Sequence, residues 1–264
     1  MKNIKPLKKF GQNYLVDDNV IKKFVSELNP SQEDCVVEIG PGKGSITKEL
    51  LSKVSKLIAI EIDNRVIDNL INKYSNLSVL NSDVLKVDFK NIYKREKNKI
   101  RIIGNIPFNI TSPIFFKLME NRNFIKDAVL IIPLDIAKRL IASKRTKEYG
   151  ILTILLNYFS DLKLCFKISP NVFIPRPKIE AAVVHLNFEN DIDAEVKNKM
   201  FINVVKASFA NRRKTLKNSL SNSIFESYNF SEINIDLSKR AEELEIKDFI
   251  LLTKYFQNNV KQSS

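Results

Sequence analysis

Histidine, cysteine and tryptophan are scarce in this chain of 264 residues, which holds one, two and none of them respectively. His185 is the single histidine, and because it alternates with apolar neighbours in Val183-Val184-His185-Leu186 we interpret it as an ordinary strand residue. No cluster of histidines can form, and too few imidazole or thiolate ligands exist for a zinc site. Cys35 and Cys165 lie in apolar runs, which predicts buried thiols and not a disulfide or a metal pair. We therefore expect no metal, and chemistry that does not depend on imidazole.

Long apolar runs are missing as well. No segment approaches the ~18–20 apolar residues that cross a bilayer. The first residues, Met1-Lys2-Asn3-Ile4-Lys5, lack the apolar core of a signal peptide. These features predict a soluble protein of the cytoplasm, with an organelle left open, and no membrane partner.

Positive charge is in excess. Lysine and arginine number 43 against 30 acidic residues, which gives a formal net charge of +13. Such a surplus fits a polyanionic partner, nucleic acid first and an anionic membrane second, although a general richness in lysine would produce it too. The hydrophobic content of 44% is enough for one large domain and a small one.

Apolar runs and amphipathic segments alternate over the first half of the chain, which is typical of a parallel sheet covered on both faces. The predicted strands are 35–39, 56–62, 77–80, 100–104 and 128–132, and the predicted helices are 20–28, 45–54, 65–74, 112–119 and 135–142. Further on, 152–167 and 181–188 are predicted to bear strands, followed by helices at 195–209, 214–221, 238–243 and 247–256. We place a domain boundary after residue 190: an α/β domain at 1–190, which starts with a basic segment at 1–16, and a small helical domain at 191–264.

A glycine-rich turn follows the first predicted strand. Gly40, Gly42 and Gly44 alternate with other residues, and glycines let the backbone approach a ligand closely. Glu61 stands at the end of the second predicted strand, where an acid binds ribose hydroxyls in doubly wound folds. Nicotinamide and S-adenosylmethionine sites share this geometry. The narrow glycine spacing, and Asp83 after the third strand as a partner for an adenine amino group, favour S-adenosylmethionine.

The motif Asn105-Ile106-Pro107-Phe108 follows the fourth predicted strand. The Asn105 side-chain oxygen and a neighbouring backbone carbonyl can accept hydrogen bonds from the exocyclic amino group of a base. The Phe108 ring can stack on that base. A plain strand-to-loop turn would use similar residues, but the order of the other motifs favours a catalytic set of Asn105, Pro107 and Phe108.

Together these motifs resemble those of the ribosomal RNA adenine dimethyltransferases. The resemblance spans roughly residues 8 to 246 and rests on five segments. They are Phe10-Gly11-Gln12-Asn13-Tyr14-Leu15, Glu38-Ile39-Gly40-Pro41-Gly42-Lys43-Gly44, Asn105-Ile106-Pro107-Phe108-Asn109-Ile110, Phe173-Ile174-Pro175-Arg176-Pro177-Lys178-Ile179 and Phe209-Ala210-Asn211-Arg212-Arg213-Lys214-Thr215-Leu216.

The resemblance implies an α/β, Rossmann-like methyltransferase sheet of seven strands with a small C-terminal helical domain, and S-adenosylmethionine as cofactor. The cofactor contacts it implies are Asn13, Leu15, Gly40, Gly42, Glu61, Asp83 and Asn105. The reaction would be transfer of methyl from sulfur to the N6 of adenine, twice per base. One departure is Pro133-Leu134-Asp135 at the end of the fifth predicted strand, where the branch of the family that modifies small-subunit rRNA usually has a Gln-Lys-Glu-like run.

The family has two branches with the same catalytic motif. One dimethylates two adjacent adenosines near the 3′ end of small-subunit rRNA during subunit assembly, and the other modifies a large-subunit adenine and confers macrolide resistance. Three segments resemble those of the first branch: Arg212-Arg213-Lys214-Thr215-Leu216, Pro175-Arg176-Pro177-Lys178 and Arg240-Ala241-Glu242-Glu243-Leu244. We therefore expect the first branch here, acting as a monomer. A non-catalytic assembly factor and a nicotinamide-dependent dehydrogenase are the alternatives.

Substrate contacts are expected from basic and aromatic residues. Phe173 is predicted to cover the second face of the target adenine. The basic residues predicted to hold rRNA are Lys8, Lys9, Arg212, Arg213 and Lys214.

Overall fold

A seven-stranded sheet forms the centre of the first of two units into which the chain divides. The computed structural model describes residues 12–259. The first unit runs up to Ala137 and includes Ser160–Asn190, and the second contains Lys138–Phe159 and the residues from Asp191 onward. The strands are β1 Tyr14–Leu15, β2 Cys35–Ile39, β3 Lys56–Glu61, β4 Ser78–Asn81, β5 Ile100–Asn105, β6 Ile125–Pro133, β7 Asp161–Ile168, β8 Phe173–Ile174 and β9 Ala181–Asn187.

The order of strands in the sheet is β4-β3-β2-β5-β6-β9-β7. The pairs from β4 to β6 are parallel, whereas β9 is antiparallel to both β6 and β7. Strands β1 and β8 form a separate antiparallel ribbon. All five residues of β2 are buried, as expected for a parallel strand that is covered on both faces.

Helices cover the sheet, and the regular secondary structure of the described part of the second unit is helical. They are α1 Asp18–Leu28, α2 Ser45–Leu51, α3 Asn64–Lys73, α4 Phe89–Glu96, α5 Thr111–Glu120, α6 Leu134–Leu140, α7 Ile151–Phe159, α8 Asn198–Ser208, α9 Leu216–Ser221 and α10 Ile246–Asn258. Asp17 caps α1, because its side chain accepts a hydrogen bond from the Val20 amide at 2.9 Å. Within the described range, we find no helix with the length and apolar character needed to cross a bilayer.

The chain reverses its direction of travel across the sheet between β2 and β5. The segment after β2 proceeds outward to β3 and β4, and the segment from β5 proceeds the other way to β6. Ligands of open α/β sheets bind at such a switch point, outside the carboxyl ends of the strands. Gly104 keeps the two strands close there, since a Cβ atom at this position would lie 2.8 Å from the Ile39 carbonyl oxygen. Asn105, the last residue of β5, is thereby placed at the switch point.

The predicted seven-stranded α/β sheet and the helical character of the C-terminal part are confirmed. The structure differs from the prediction in local details. The stretch 152–167 does bear a strand, β7, but 152–159 belong to helix α7, and helix α4 was not predicted. The helix predicted at 238–243 is a single 3₁₀ turn, Ala241–Glu243. Residues 212–214 lie in the turn between α8 and α9 and do not begin a helix, which starts at Leu216 after the cap Thr215.

The structure also bears on the domain boundary predicted after residue 190. One border between the units does fall between Asn190 and Asp191, but Lys138–Phe159 groups with the C-terminal residues. The division into a catalytic part and an RNA-binding part stays a prediction.

Candidate active site

A cavity of about 250 Å³ opens at the carboxyl ends of β2, β3 and β5. It brings together residues that are far apart in sequence and that all belong to the first unit. Its lining is formed by Gln12, Asn13, Tyr14, Ile39, Gly40, Gly42, Ile60, Glu61, Ile62, Ser82, Asp83, Val84, Leu85, Asn105, Ile106, Pro107, Phe108, Asn109 and Ile110.

The glycine turn forms one wall of this cavity. Gly40 and Gly42 have φ angles of 67° and 55°, a region that residues with a side chain rarely adopt. A Cβ atom at Gly42 would lie 2.7 Å from the Tyr14 ring. The turn therefore packs directly under Tyr14, and no larger residue fits there.

Glu61 is held in place at the end of β3. Its Oε1 accepts hydrogen bonds from the amides of Ile62 and Asp63, both at 2.9 Å. Burial raises the pKa of Glu61, and the backbone hydrogen bonds that it accepts oppose this rise. The carboxyl group is thus fixed in orientation on the cavity wall, as a group that binds ribose hydroxyls has to be.

Asp83 lines the cavity and also caps a short helical turn. Its Oδ1 accepts a hydrogen bond from the Leu85 amide at 3.0 Å, at the start of the 3₁₀ turn Val84–Lys86. A carboxylate has a second oxygen available for further hydrogen bonds. The capping role and a ligand-binding role are compatible.

Asn105 has a defined side-chain orientation. Its Nδ2 donates a hydrogen bond to the Asn13 backbone carbonyl at 2.7 Å. The opposite orientation would bring the amide oxygen against that carbonyl oxygen, so the contact assigns the two ends of the amide. The Oδ1 atom is left to accept a hydrogen bond from a ligand.

Pro107 and Phe108 follow Asn105 on a tight turn. The Pro107 carbonyl accepts a hydrogen bond from the Ile110 amide at 3.0 Å, and the Thr111 hydroxyl donates to the Phe108 carbonyl at 3.1 Å. These bonds hold the Phe108 backbone beside the cavity, and its ring is partly exposed. The Pro107 carbonyl is already engaged, which favours the Ile106 carbonyl as the second acceptor for an amino group.

Residues 12–14 cover the cavity from the side of the glycine turn. The Tyr14 hydroxyl donates to Gln12 Oε1 at 3.0 Å, and Gln12 Nε2 donates to Asp63 Oδ2 at 3.4 Å. Arg65 donates to the same carboxylate at 2.6 and 2.9 Å. Burial, with help from the nearby acids Glu61 and Asp63, raises the pKa of Tyr14 to about 12. Tyr14 is therefore a neutral hydrogen-bond donor at physiological pH.

Comparison with known proteins identifies the family. The family model described as ribosomal RNA adenine dimethylase matches residues 3–258. The chain belongs to this family. A ribosomal RNA small subunit methyltransferase A from Francisella tularensis subsp. tularensis (strain WY96-3418) is 38% identical over 255 residues, which cover 95% of this chain and 97% of the relative. The resemblance inferred from the motifs is confirmed.

Solved structures agree with this assignment. A dimethyladenosine transferase from Plasmodium falciparum matches with a TM-score of 0.74 at 25% identity, over 92% of this chain and 97% of its own. The 23S rRNA methyltransferase ErmE matches with a TM-score of 0.68 at 22% identity, over 93% of this chain and 100% of its own. The second likeness shows a shared fold.

The cavity contains most of the cofactor-site residues predicted from the dimethylase motifs, but Leu15 and Phe173 lie elsewhere. They are paired across the β1–β8 ribbon and are both 3% exposed, in the hydrophobic core. Side chains alternate along a strand, so Tyr14 and Ile174 take the other face. Phe173 therefore does not reach the cavity, and its prediction as a stacking residue is wrong. Leu15 is a residue of the hydrophobic core and does not line the cavity.

The predicted basic residues are distributed differently. Lys8 and Lys9 lie outside the described residues. Arg213 and Lys214 are exposed in the turn after α8. The Arg212 guanidinium is engaged by the protein itself, because its Nη2 donates to the backbone carbonyls of Lys147 and Tyr149 at 2.8 and 3.1 Å.

Gln12, Tyr14 and Glu38 are residues of the site region for which no individual role was predicted. The first two stand in the amino-terminal dimethylase motif, and proximity to Asn13 was the available signal. Glu38 lies in β2 beneath the glycine turn and is fully buried. Its Oε2 accepts a hydrogen bond from the Thr47 hydroxyl at 2.6 Å, and no described residue bonds to Oε1. Burial, together with the nearby Glu61, raises the pKa of Glu38 to about 8.

Glu38 should make the folded protein sensitive to pH. In the unfolded chain it ionises near 4.5, whereas in the folded protein it stays neutral up to about 8. The free energy of unfolding should therefore fall as pH rises through this interval, by about 1.4 kcal/mol per unit at most. Glu38→Gln should remove this decline in urea titrations between pH 5 and 8. Exposed Glu33→Gln is the control, and equal slopes for the wild type and Glu38→Gln would contradict the assignment.

Proposed function

We propose that this chain is an S-adenosylmethionine-dependent methyltransferase that dimethylates the N6 amino groups of two adjacent adenosines near the 3′ end of small-subunit rRNA in an assembling subunit. The observation that carries the proposal is the Asn105 amide, tied through Nδ2 to the Asn13 carbonyl at 2.7 Å on a cavity that also has a glycine turn and a ribose-type acid. Support for the small-subunit substrate comes from the relative named for that subunit, which this chain covers almost completely.

The cavity residues fit S-adenosylmethionine. Glu61, held by two backbone amides, is suited to ribose hydroxyls, and Asp83 has a carboxylate oxygen for an adenine amino group. The glycine turn permits close approach of a ligand, because no side chain projects from Gly40 or Gly42. When bound, S-adenosylmethionine supplies a methyl group activated by a sulfonium.

The residues at the tip of β5 then act on the target base. The N6 lone pair of adenine is delocalised into the ring, which makes the free amine a poor nucleophile. Asn105 Oδ1 and the Ile106 carbonyl accept its two protons in hydrogen bonds and favour a tetrahedral nitrogen. Positioning and electrostatics supply most of the rate. No strong base is required, since the product ammonium is acidic enough to lose its proton afterwards.

Phe108 supports the base by stacking. A target adenine has to leave its helix or be unpaired to reach such a cavity. The partly exposed ring of Phe108 offers one apolar face for it. Since Phe173 is buried, it does not cover the other face of the base, and Phe108 is the one stacking residue in this proposal.

Labelled methyl transfer distinguishes the candidate substrates. The protein would be incubated with under-methylated small subunits, large subunits and free rRNA, and the modified base would be mapped. We expect label on the N6 of two adjacent adenines of small-subunit rRNA. Label on a large-subunit adenine would favour the macrolide-resistance type of reaction, and no transfer to any RNA would favour a non-catalytic assembly factor. Either of these results contradicts the proposal.

A further inference from the structure

The loop at residues 143–149 of the second unit, called the basic loop here, is exposed yet firmly held. Lys144, Arg145 and Lys147 are all exposed to solvent. The hydroxyl of Tyr149, which is buried, donates to the Leu244 carbonyl at 2.8 Å. Lys144 and Arg145 also form ion pairs with Glu245 and Glu243. The exposed loop is therefore held by contacts with the segment around residues 242–245.

Arg145 shows how closely the backbone of the basic loop is fixed. Its φ angle is 66°, in the left-handed region that is unfavourable for any residue other than glycine. Its amide donates to the Glu242 carbonyl at 2.8 Å, which holds it there. Strained residues persist only where their surroundings determine them, and they are concentrated at functional sites.

The Arg212 side chain holds the basic loop through hydrogen bonds to its backbone. Its Nη2 donates to the carbonyls of Lys147 and Tyr149, and it lies 3.3 Å from Glu242 Oε2. All three of these contacts are made by Nη2. Although Arg212 was predicted to contact phosphate, the geometry gives it a positioning role.

The same contacts bring other cations near the basic loop. Arg213 and Lys214 follow Arg212 directly and are exposed. An arginine side chain is shorter than the Debye length of about 8–10 Å at physiological salt, so charges on the two segments act together on one polyanion. Acids also lie among these cations. Glu148 in the loop itself is exposed, whereas the other three are paired with cations: Glu242 with Arg212, Glu243 with Arg145 at 3.8 Å, and Glu245 with Lys144.

We propose that the basic loop is a preformed phosphate-binding surface for the rRNA backbone. Arg145 and Lys147 contact phosphates together with Arg213 and Lys214, while Arg212 holds the loop in its binding shape. The inference rests on the proposed function for the identity of the partner as RNA. A polyanion fits because a rigid array of cations loses little conformational entropy on binding.

The test measures RNA affinity against salt. Binding of a fluorescent rRNA hairpin would be titrated for the wild type and for the double variant Arg145→Gln/Lys147→Gln. Each lost phosphate contact should lower the slope of log K against log salt by about 0.9, and raise Kd at 0.1 M salt by roughly tenfold. The control is Lys197→Gln/Lys199→Gln, which removes the same amount of charge at the start of α8. The length of α8, about 16 Å, separates these two lysines from the turn that carries Arg213 and Lys214, so the control should change Kd far less.

A second set of variants tests the positioning role of Arg212. Arg212→Gln should speed trypsin cleavage at Lys144, Arg145 and Lys147 by at least severalfold, because the loop loses the hydrogen bonds from the guanidinium to the Lys147 and Tyr149 carbonyls. Arg212→Lys keeps the charge but lacks the planar fork, so it should not restore slow cleavage or tight RNA binding. Unchanged proteolysis in Arg212→Gln, or full rescue of binding by lysine, would overturn this role.

The outcomes separate this inference from the proposed function. If the wild type methylates small-subunit rRNA while the double variant binds RNA with the wild-type Kd and salt slope, the surface is refuted and the enzyme assignment stands. If the wild type transfers no methyl but the variant loses RNA affinity as expected, the surface stands and the enzyme assignment fails.

Discussion

Replacing Asn105 by alanine is expected to lower methyl transfer by about 10²- to 10³-fold or more, the usual effect of removing one preorganised polar group from an active site. The substitution deletes the amide oxygen that would accept the N6 proton, and also the Nδ2 bond to the Asn13 carbonyl. Single-turnover transfer to under-methylated small subunits measures the loss. Binding of S-adenosylhomocysteine should only weaken, because Glu61 and Asp83 are untouched.

Asn109→Ala is the matched control for this prediction. Asn109 lines the same cavity from the turn after Phe108 but is exposed, and no role is assigned to it. The two variants should bind S-adenosylhomocysteine similarly and differ in turnover. Retained turnover in Asn105→Ala would refute the assigned role.

The second large effect is on stability. Arg101→Met should lower the free energy of unfolding by about 3–5 kcal/mol, as when one partner of a buried ion pair is removed. Arg101 lies at the start of β5, and its Nε and Nη2 donate to the two carboxylate oxygens of Asp127 at 2.8 and 2.6 Å. Its Nη1 donates to Asp34 at 2.9 Å. Without the guanidinium, the Asp127 carboxylate stays buried with the His185 ring nitrogen, at 2.9 Å, as its remaining side-chain hydrogen-bond partner among the described residues.

Urea denaturation followed by circular dichroism measures this change. Arg95→Met, which removes an exposed arginine paired with Glu96, should cost less than about 1 kcal/mol. Adding Asp127→Asn to Arg101→Met should recover part of the loss, because no buried charge is then left behind. A loss no larger than that of Arg95→Met would contradict the account of this network.

Most of the sheet could be predicted because its signal is local. Apolar runs such as Cys35–Ile39 and Ile100–Asn105 read as buried strands on their own, and the alternation with helices implies parallel pairing. Helix α7 could not be predicted, because its sequence ILTILLNYF is apolar almost throughout and has no clear period. Only its burial on several sides in the second unit explains that composition.

The charged network at the start of β5 could not be predicted either. Arg101, Asp127 and His185 come from three strands that are neighbours in the sheet but distant in sequence. His185 was interpreted as an ordinary strand residue. Its contact with Asp127 depends on the register between β6 and β9, which no local pattern reveals.

The site itself was predictable where a motif ends a strand. Gly40, Glu61, Asp83 and Asn105 meet because the carboxyl ends of parallel strands lie at one edge of the sheet. Phe173 was misplaced because the face of a two-residue strand cannot be read from its sequence. The contact of Arg212 with rRNA stays a prediction, and its bonds to the loop could not be foreseen, because a run of cations does not reveal which of them also bonds to the protein.

The most direct test of the central claim is a crystal structure with S-adenosylhomocysteine. We expect the nucleoside to fill the cavity between Glu61 and Asp83, with Asn105 and Phe108 beside its sulfur and open to an incoming base. A ligand bound elsewhere, or Asn105 sealed off from any base, would contradict the account.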